Sequence, residues 1–154
     1  MRPSLLLIWV FLSFSGLAIA QADPSKLDEQ LQIRLSSAEA KSPGGQIKIL
    51  QESELEYEVV LKAAYERTLS VINEPETKKE FEQAHKGWLQ YREIHLHALR
   101  AAIKKLSSVE TGLEFRAAID VVHHRIDEIN FFYYSICMLQ PFPGRVGFNP
   151  LPGT

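Results

Sequence analysis

The stretch Phe81–Leu106, FEQAHKGWLQYREIHLHALRAAIKKL, decides the fold class. Apolar side chains recur at Phe81, Ala84, Trp88, Tyr91, Leu99, Ile103 and Leu106, with Ala98 and Ala102 between them. That three-and-four spacing is one face of a helix, and it needs partners to cover it. Glu82, Lys86, Gln90, Glu93, Arg100, Lys104 and Lys105 supply a solvated opposite face, so the segment is amphipathic rather than membrane-spanning.

Working outward, Asn73-Glu74-Pro75-Glu76 is a turn: Asn73 suits a helix end and Pro75 the first turn of the next, so the long helix starts near Pro75. Before it, Tyr57, Leu61, Ala64, Tyr65, Leu69 and Ile72 mark a helix beginning at about Gln46 or Gln51, its acidic start (Glu52, Glu54, Glu56, Glu58) suited to the helix dipole. A connection this short makes the two helices antiparallel neighbours. After it, Ser107 and Glu110 have capping-box spacing and predict a helix from about Ser108, unless Gly112 extends the loop. Its stripe is Phe115, Ala118, Ile119, Val122, Ile126, Ile129, Tyr133 and Ile136, ending near Leu139.

Asp23-Pro24 starts a shorter helix carrying Leu27, Leu31 and Leu35 to about Ala40, and Ser42-Pro43-Gly44-Gly45 reads as a break that leaves it loosely attached. The expectation is an all-α fold, an antiparallel bundle of three long helices plus a short N-terminal helix. Its divisions are a signal peptide over 1–20, the short helix and Pro/Gly linker over 21–45, the helical domain over 46–139 and a Pro/Gly-rich tail over 140–154. In the tail, Phe142, Phe148 and Leu151 either fold back over a groove between helices or remain disordered.

Arg2, the apolar run Leu5–Leu17 and Ala18-Ile19-Ala20 have the layout of a secretory signal with its cleavage site, which predicts a secreted or periplasmic protein with no stable membrane insertion after cleavage. The formal net charge of -2 is too mild to name a partner, and no basic stripe supports nucleic-acid binding. One cysteine, Cys137, excludes an internal disulfide framework and is expected to be buried as a small hydrophobe.

Candidate chemistry is sparse. Glu82/His85 and Asp120/His123 have the Glu/Asp-x-x-His spacing used in helical di-iron sites, but both carboxylates fall off the apolar stripes. His95 and His97 point to different sides, and the histidines read as solvated. With no phosphate loop and no serine elbow, the chain reads as non-enzymatic, with no metal or cofactor. Trp88, Tyr91 and Arg92 remain, with Arg125 beside the last helix's stripe. An arginine bordering a core needs an acidic partner, here Glu58, Glu66, Glu93 or Glu128. These residues are either pins holding helix register or an exposed aromatic and arginine patch that binds protein.

The run from Leu61 to Leu69 and then FEQAHKGWLQYRE, Phe81–Glu93, resembles the LprI-like lysozyme-inhibitor family of small secreted bacterial proteins, whose pattern includes Trp-x-x-Tyr-Arg. Tyr65, Ala84, Trp88, Tyr91 and Arg92 match, and Arg125 falls where a later arginine is expected. His85 stands where that family has Gln, Glu93 where it has Asp, and Leu96 and Ala118 where it has cysteines. The resemblance implies a secreted non-enzymatic protein-binding domain whose partner is lysozyme, inhibited by cleft occlusion; charge complementarity then makes acidic loops such as Asn73–Glu76 or Ser107–Glu114 the expected meeting points with the cationic enzyme. The alternative is a structural or adaptor module of the cell envelope that docks a membrane-associated partner through Phe131–Phe148.

Overall fold

Among the described residues, three of the four α-helices begin with proline: α1 is Pro24–Leu35, α2 Pro43–Val71, α3 Pro75–Leu106 and α4 Leu113–Leu139, with a single 3-10 turn at Glu39–Lys41. Proline suits that position because its φ is already helical and the N–H it lacks would have no partner there. The computed structural model describes residues 24–106 and 112–139. The signal segment, the Asp23 cap, the Ser107–Glu110 capping box, the side chain of Leu106 and the tail therefore lie outside the described residues. Among the described residues there is no strand, and no helix is long and apolar enough to cross a membrane.

The all-helical expectation holds, but α3 is not its centre. The principal packing pair is α2 with α4. They run parallel: Gly112 lies against Leu50, His123 beside Tyr57, and Asn130 accepts a 2.6 Å bond from Arg67. Tyr57, Leu61 and Ala64 from α2 and Ile119, Val122, Ile126 and Ile129 from α4 form the core between them. The α4 stripe is thus the expected one, and the helix starts at Leu113, the later of the two expected starts. Gly112 sets that start: it takes a φ of 70°, which a side chain disfavours, and its carbonyl accepts from the Phe115 and Arg116 amides.

The two remaining helices cover opposite sides of this pair. His123 and Arg125, two positions apart on α4, point toward α1 and α3 respectively. The Ser42–Gly45 break is instead the start of α2, since Ser42 accepts from the Gly45 amide at 3.0 Å and Pro43 opens the helix. Gly45 is needed because a Cβ there would collide with the Glu39 carbonyl. The chain consequently folds α1 tightly back. Leu31 is buried, Arg34 pairs with Glu52 and Glu56, and Tyr57 donates to Asp28. The glutamates read as a helix start are mid-helix, where they serve as sockets for arginines from α1 and α3.

The inward face of α3 is rotated from the one expected. Phe81 and Leu96 are buried and His85, Trp88, Arg92, Leu99 and Ile103 are half-buried, whereas Ala84 and Tyr91 face solvent. Cys137, expected to be buried, is half-buried beside Tyr133.

Candidate functional site

Four of the five residues singled out from sequence meet where α2, α3 and α4 adjoin. Glu74 positions α3 there: its carboxylate accepts from the Glu76 and Thr77 amides at the helix start, and the Thr77 hydroxyl, with those two amides, holds its pKa below the usual range. Rings then stack in a continuous column. Phe132 of α4 lies on Phe81 at 5.2 Å, Phe81 on Tyr65 at 5.5 Å, Tyr65 on His85 at 4.1 Å and His85 near Trp88 at 5.9 Å between centroids. Two guanidiniums close the column, Arg92 and Arg125, each 5.7 Å from the Trp88 ring. Each has its own carboxylate: Arg92 pairs with Glu58, and Arg125 with Glu128 at 2.8 Å.

Two cations on one indole repel one another unless each is neutralised locally, and the two glutamates do that. Arg92 ties α3 to α2, and Arg125 reaches from α4 across to the α3 tryptophan. The cluster therefore pins all three helices in register. Tyr91 is not part of it; its ring is 57% exposed and stacks on His95. His85, read as solvated, is the residue that sequence reasoning missed. Its spacing from Phe81 and Trp88, four and three residues, was the available signal.

Replacing Arg92 with alanine leaves Glu58 half-buried without its cation. The expected loss is about 1–3 kcal/mol, between the exposed and fully buried limits for such pairs. Thermal melts check it, and Arg92→Lys should recover only part, because an ammonium keeps the charge without the planar stack.

Burial, with the Arg125 charge beside it, holds the His85 imidazole below its ordinary pKa. Its folded value lies below its unfolded one, so its contribution to stability is complete above the unfolded pKa and is lost as pH falls through the folded one. Acidification from about pH 7.5 to about pH 5 should therefore lower the melting temperature more steeply in the wild type than in His85→Gln. Melts of both proteins across that range isolate the contribution of this histidine from the other four.

Away from the column, the α1 side carries a second polar group. Asp28 receives the Tyr57 hydroxyl and lies 3.1 Å from His123 Nε2, while His123 Nδ1 is 3.5 Å from Asp127. Burial, reinforced by Asp28, raises the Tyr57 pKa, so the phenol stays a hydrogen-bond donor.

Two open clefts flank α3. That between α3 and α4, about 570 Å³, is lined by Glu80, Phe81, Arg125, Ile129 and Phe131 among others. A smaller one of about 210 Å³ between α2 and α3 holds Glu54, Arg92 and Arg100, and burial raises the Glu54 pKa there against the opposing pull of Arg100. Among the described residues no group of three or more His, Cys, Asp or Glu is placed to hold a metal ion.

Leu96 and Ala118 are both buried. In the antiparallel α3–α4 register, Phe81 meets Phe132 and Trp88 meets Arg125, seven residues along one helix and seven back along the other. The next such step brings His95 to the level of Ala118, with Leu96 one residue further along α3. Comparison of the chain with family models, with curated proteins and with solved structures finds no match.

Proposed function

We propose that this chain is a secreted, non-enzymatic protein-binding domain of the LprI-like type, exported by the segment Met1–Ala20, and that it inhibits lysozyme by occluding its substrate cleft. The observation that carries the reading is the interlocked column of Tyr65, Trp88, Arg92 and Arg125. Tyr65, Trp88, Arg92 and Arg125 of the resemblance are residues on which three helices register, whereas its Ala84 and Tyr91 face solvent. Leu96 and Ala118, where the resemblance expects two cysteines, are both buried, and Leu96 also borders the small α2–α3 cleft with Glu54, Arg92 and Arg100.

With the column taken up by internal contacts, the lysozyme-facing surface lies outside it. Of the acidic α2–α3 loop, Glu74 is committed to capping α3, and Glu76 is exposed and only loosely paired to Lys79 at 3.4 Å. The test is inhibition of a c-type and a g-type lysozyme by the chain purified after export. Saturable inhibition of either at low micromolar concentration supports the proposal, and undiminished activity of both at a large excess rejects it.

The adaptor reading keeps one observation in its favour: Phe131, Met138 and Leu139 leave the end of α4 apolar and exposed. It predicts that deleting Gln140–Thr154 abolishes partner capture, whereas inhibition by occlusion through the α2–α3 loop should survive that deletion.

A further inference from the structure

The rotation of α3 exposes a second stripe on that helix. Glu80, Ala84, Gly87, Tyr91, Ile94, Ala98, Ala101 and Lys105 follow one another at intervals of four, three, four, three, four, three and four, and all are exposed. This is the a/d spacing of a helix that packs along its length against another helix. The apolar part, Ala84 to Ala101, runs about 26 Å. The helix surface beyond it carries Glu82, Lys86, Gln90, Glu93, His97 and Lys104, as a solvated face should.

Among the described residues nothing accounts for the composition of the stripe. Ile94 is 72% exposed, and a Cβ added at Gly87 would meet no atom within 4 Å. Glycine in mid-helix costs about 1 kcal/mol relative to alanine, and the packing among the described residues does not require it. Close approach of a second backbone would require it, because the separation of packed helices is set by the side chains at the contact.

We infer that α3 pairs with α3 of a second copy of this chain, antiparallel, about a twofold axis passing between Tyr91 and Ile94. The order of the stripe is self-complementary in that arrangement only. Tyr91 meets Ile94 of the second copy, Gly87 meets Ala98, Ala84 meets Ala101, and Glu80 meets Lys105. Each large side chain finds a large one, each small finds a small one, and the ends pair opposite charges. A parallel pair would set Glu80 on Glu80 and Lys105 on Lys105. The contact is isologous, so it closes at two copies. The antiparallel helix dipoles add to it, and exposed Phe131, which borders Glu80 across the α3–α4 cleft, extends its apolar rim.

Sedimentation velocity of the exported chain over a concentration series tests this, with circular dichroism and melting as checks on the fold. The wild type should dimerise at tens of micromolar or tighter, and Ile94→Asp should raise the dissociation constant at least about tenfold with its helix content and melting temperature unchanged. E80K and K105E should each weaken the dimer about three- to tenfold, and the double variant E80K/K105E should return to within about twofold of the wild type. A wild type that stays monomeric at about 200 μM, a dimer indifferent to Ile94→Asp, or a double reversal that fails to rescue would each overturn the antiparallel α3 pairing.

Discussion

Tyr57→Ala is expected to cost about 3–5 kcal/mol, the range for emptying a large aromatic site in a core. Tyr57 is the largest side chain with no exposed surface, and it stands where α1, α2 and α4 come together. Alanine leaves a cavity at the middle of the α2–α4 pair and takes away the hydroxyl that Asp28 receives from across the α1 boundary. The ring and the hydroxyl separate experimentally. Tyr57→Phe keeps the packing and loses one hydrogen bond, about 1 kcal/mol, so denaturant melts should rank the wild type above Phe and Phe far above Ala. If α1 were loosely attached, the Phe variant would match the wild type.

The second large effect is Trp88→Ala. The indole is half-buried, so the loss should fall below the fully buried range, at about 2–4 kcal/mol. Part of it arises from the two guanidiniums, which lose the ring that both lie against. Because Arg125 and Arg92 come from different helices, the variant should also uncouple them. In a double-mutant cycle of Trp88→Phe with Arg125→Gln, an interaction energy of about 0.5 kcal/mol or more is expected. Additive losses in that cycle would show that Arg125 is held by Glu128 alone.

Much of the fold was legible in the sequence. Pro75 and Leu106 bound the long helix as the pattern said, and the α4 stripe from Ala118 to Ile129 is the buried one. The acidic partners were within reach too: Glu58 for Arg92 and Glu128 for Arg125 were both among the carboxylates that an arginine beside a core demands. What misled is specific. Counting apolar residues turned α3 toward Ala84 and Tyr91, but its inner face mixes Phe81, Trp88 and Leu96 with His85 and Arg92. Stacking lets a flat polar side chain do an apolar one's job there.

The Pro-Gly-Gly run misled for a related reason. Glycine usually breaks a helix, yet Gly45 is required by the close approach of the Glu39 carbonyl while Ser42 caps the turn. The pairing of α2 with α4 was not legible at all. Short connections make successive helices antiparallel neighbours, and they leave open which of the non-successive helices come into contact. Complementarity of Ala64, Leu61 and Tyr57 with Val122 and Ile126 decides that, and it exists only in three dimensions.

Lysozyme binding at the substrate cleft, as proposed for this helical domain, is open to direct test. The most direct measurement is a calorimetric titration of the exported chain into a c-type lysozyme, repeated with the cleft filled by a saturating soluble oligosaccharide. Cleft occlusion predicts a saturable heat that the oligosaccharide abolishes. Binding that persists unchanged with the cleft filled, or no binding to the free enzyme, would contradict it.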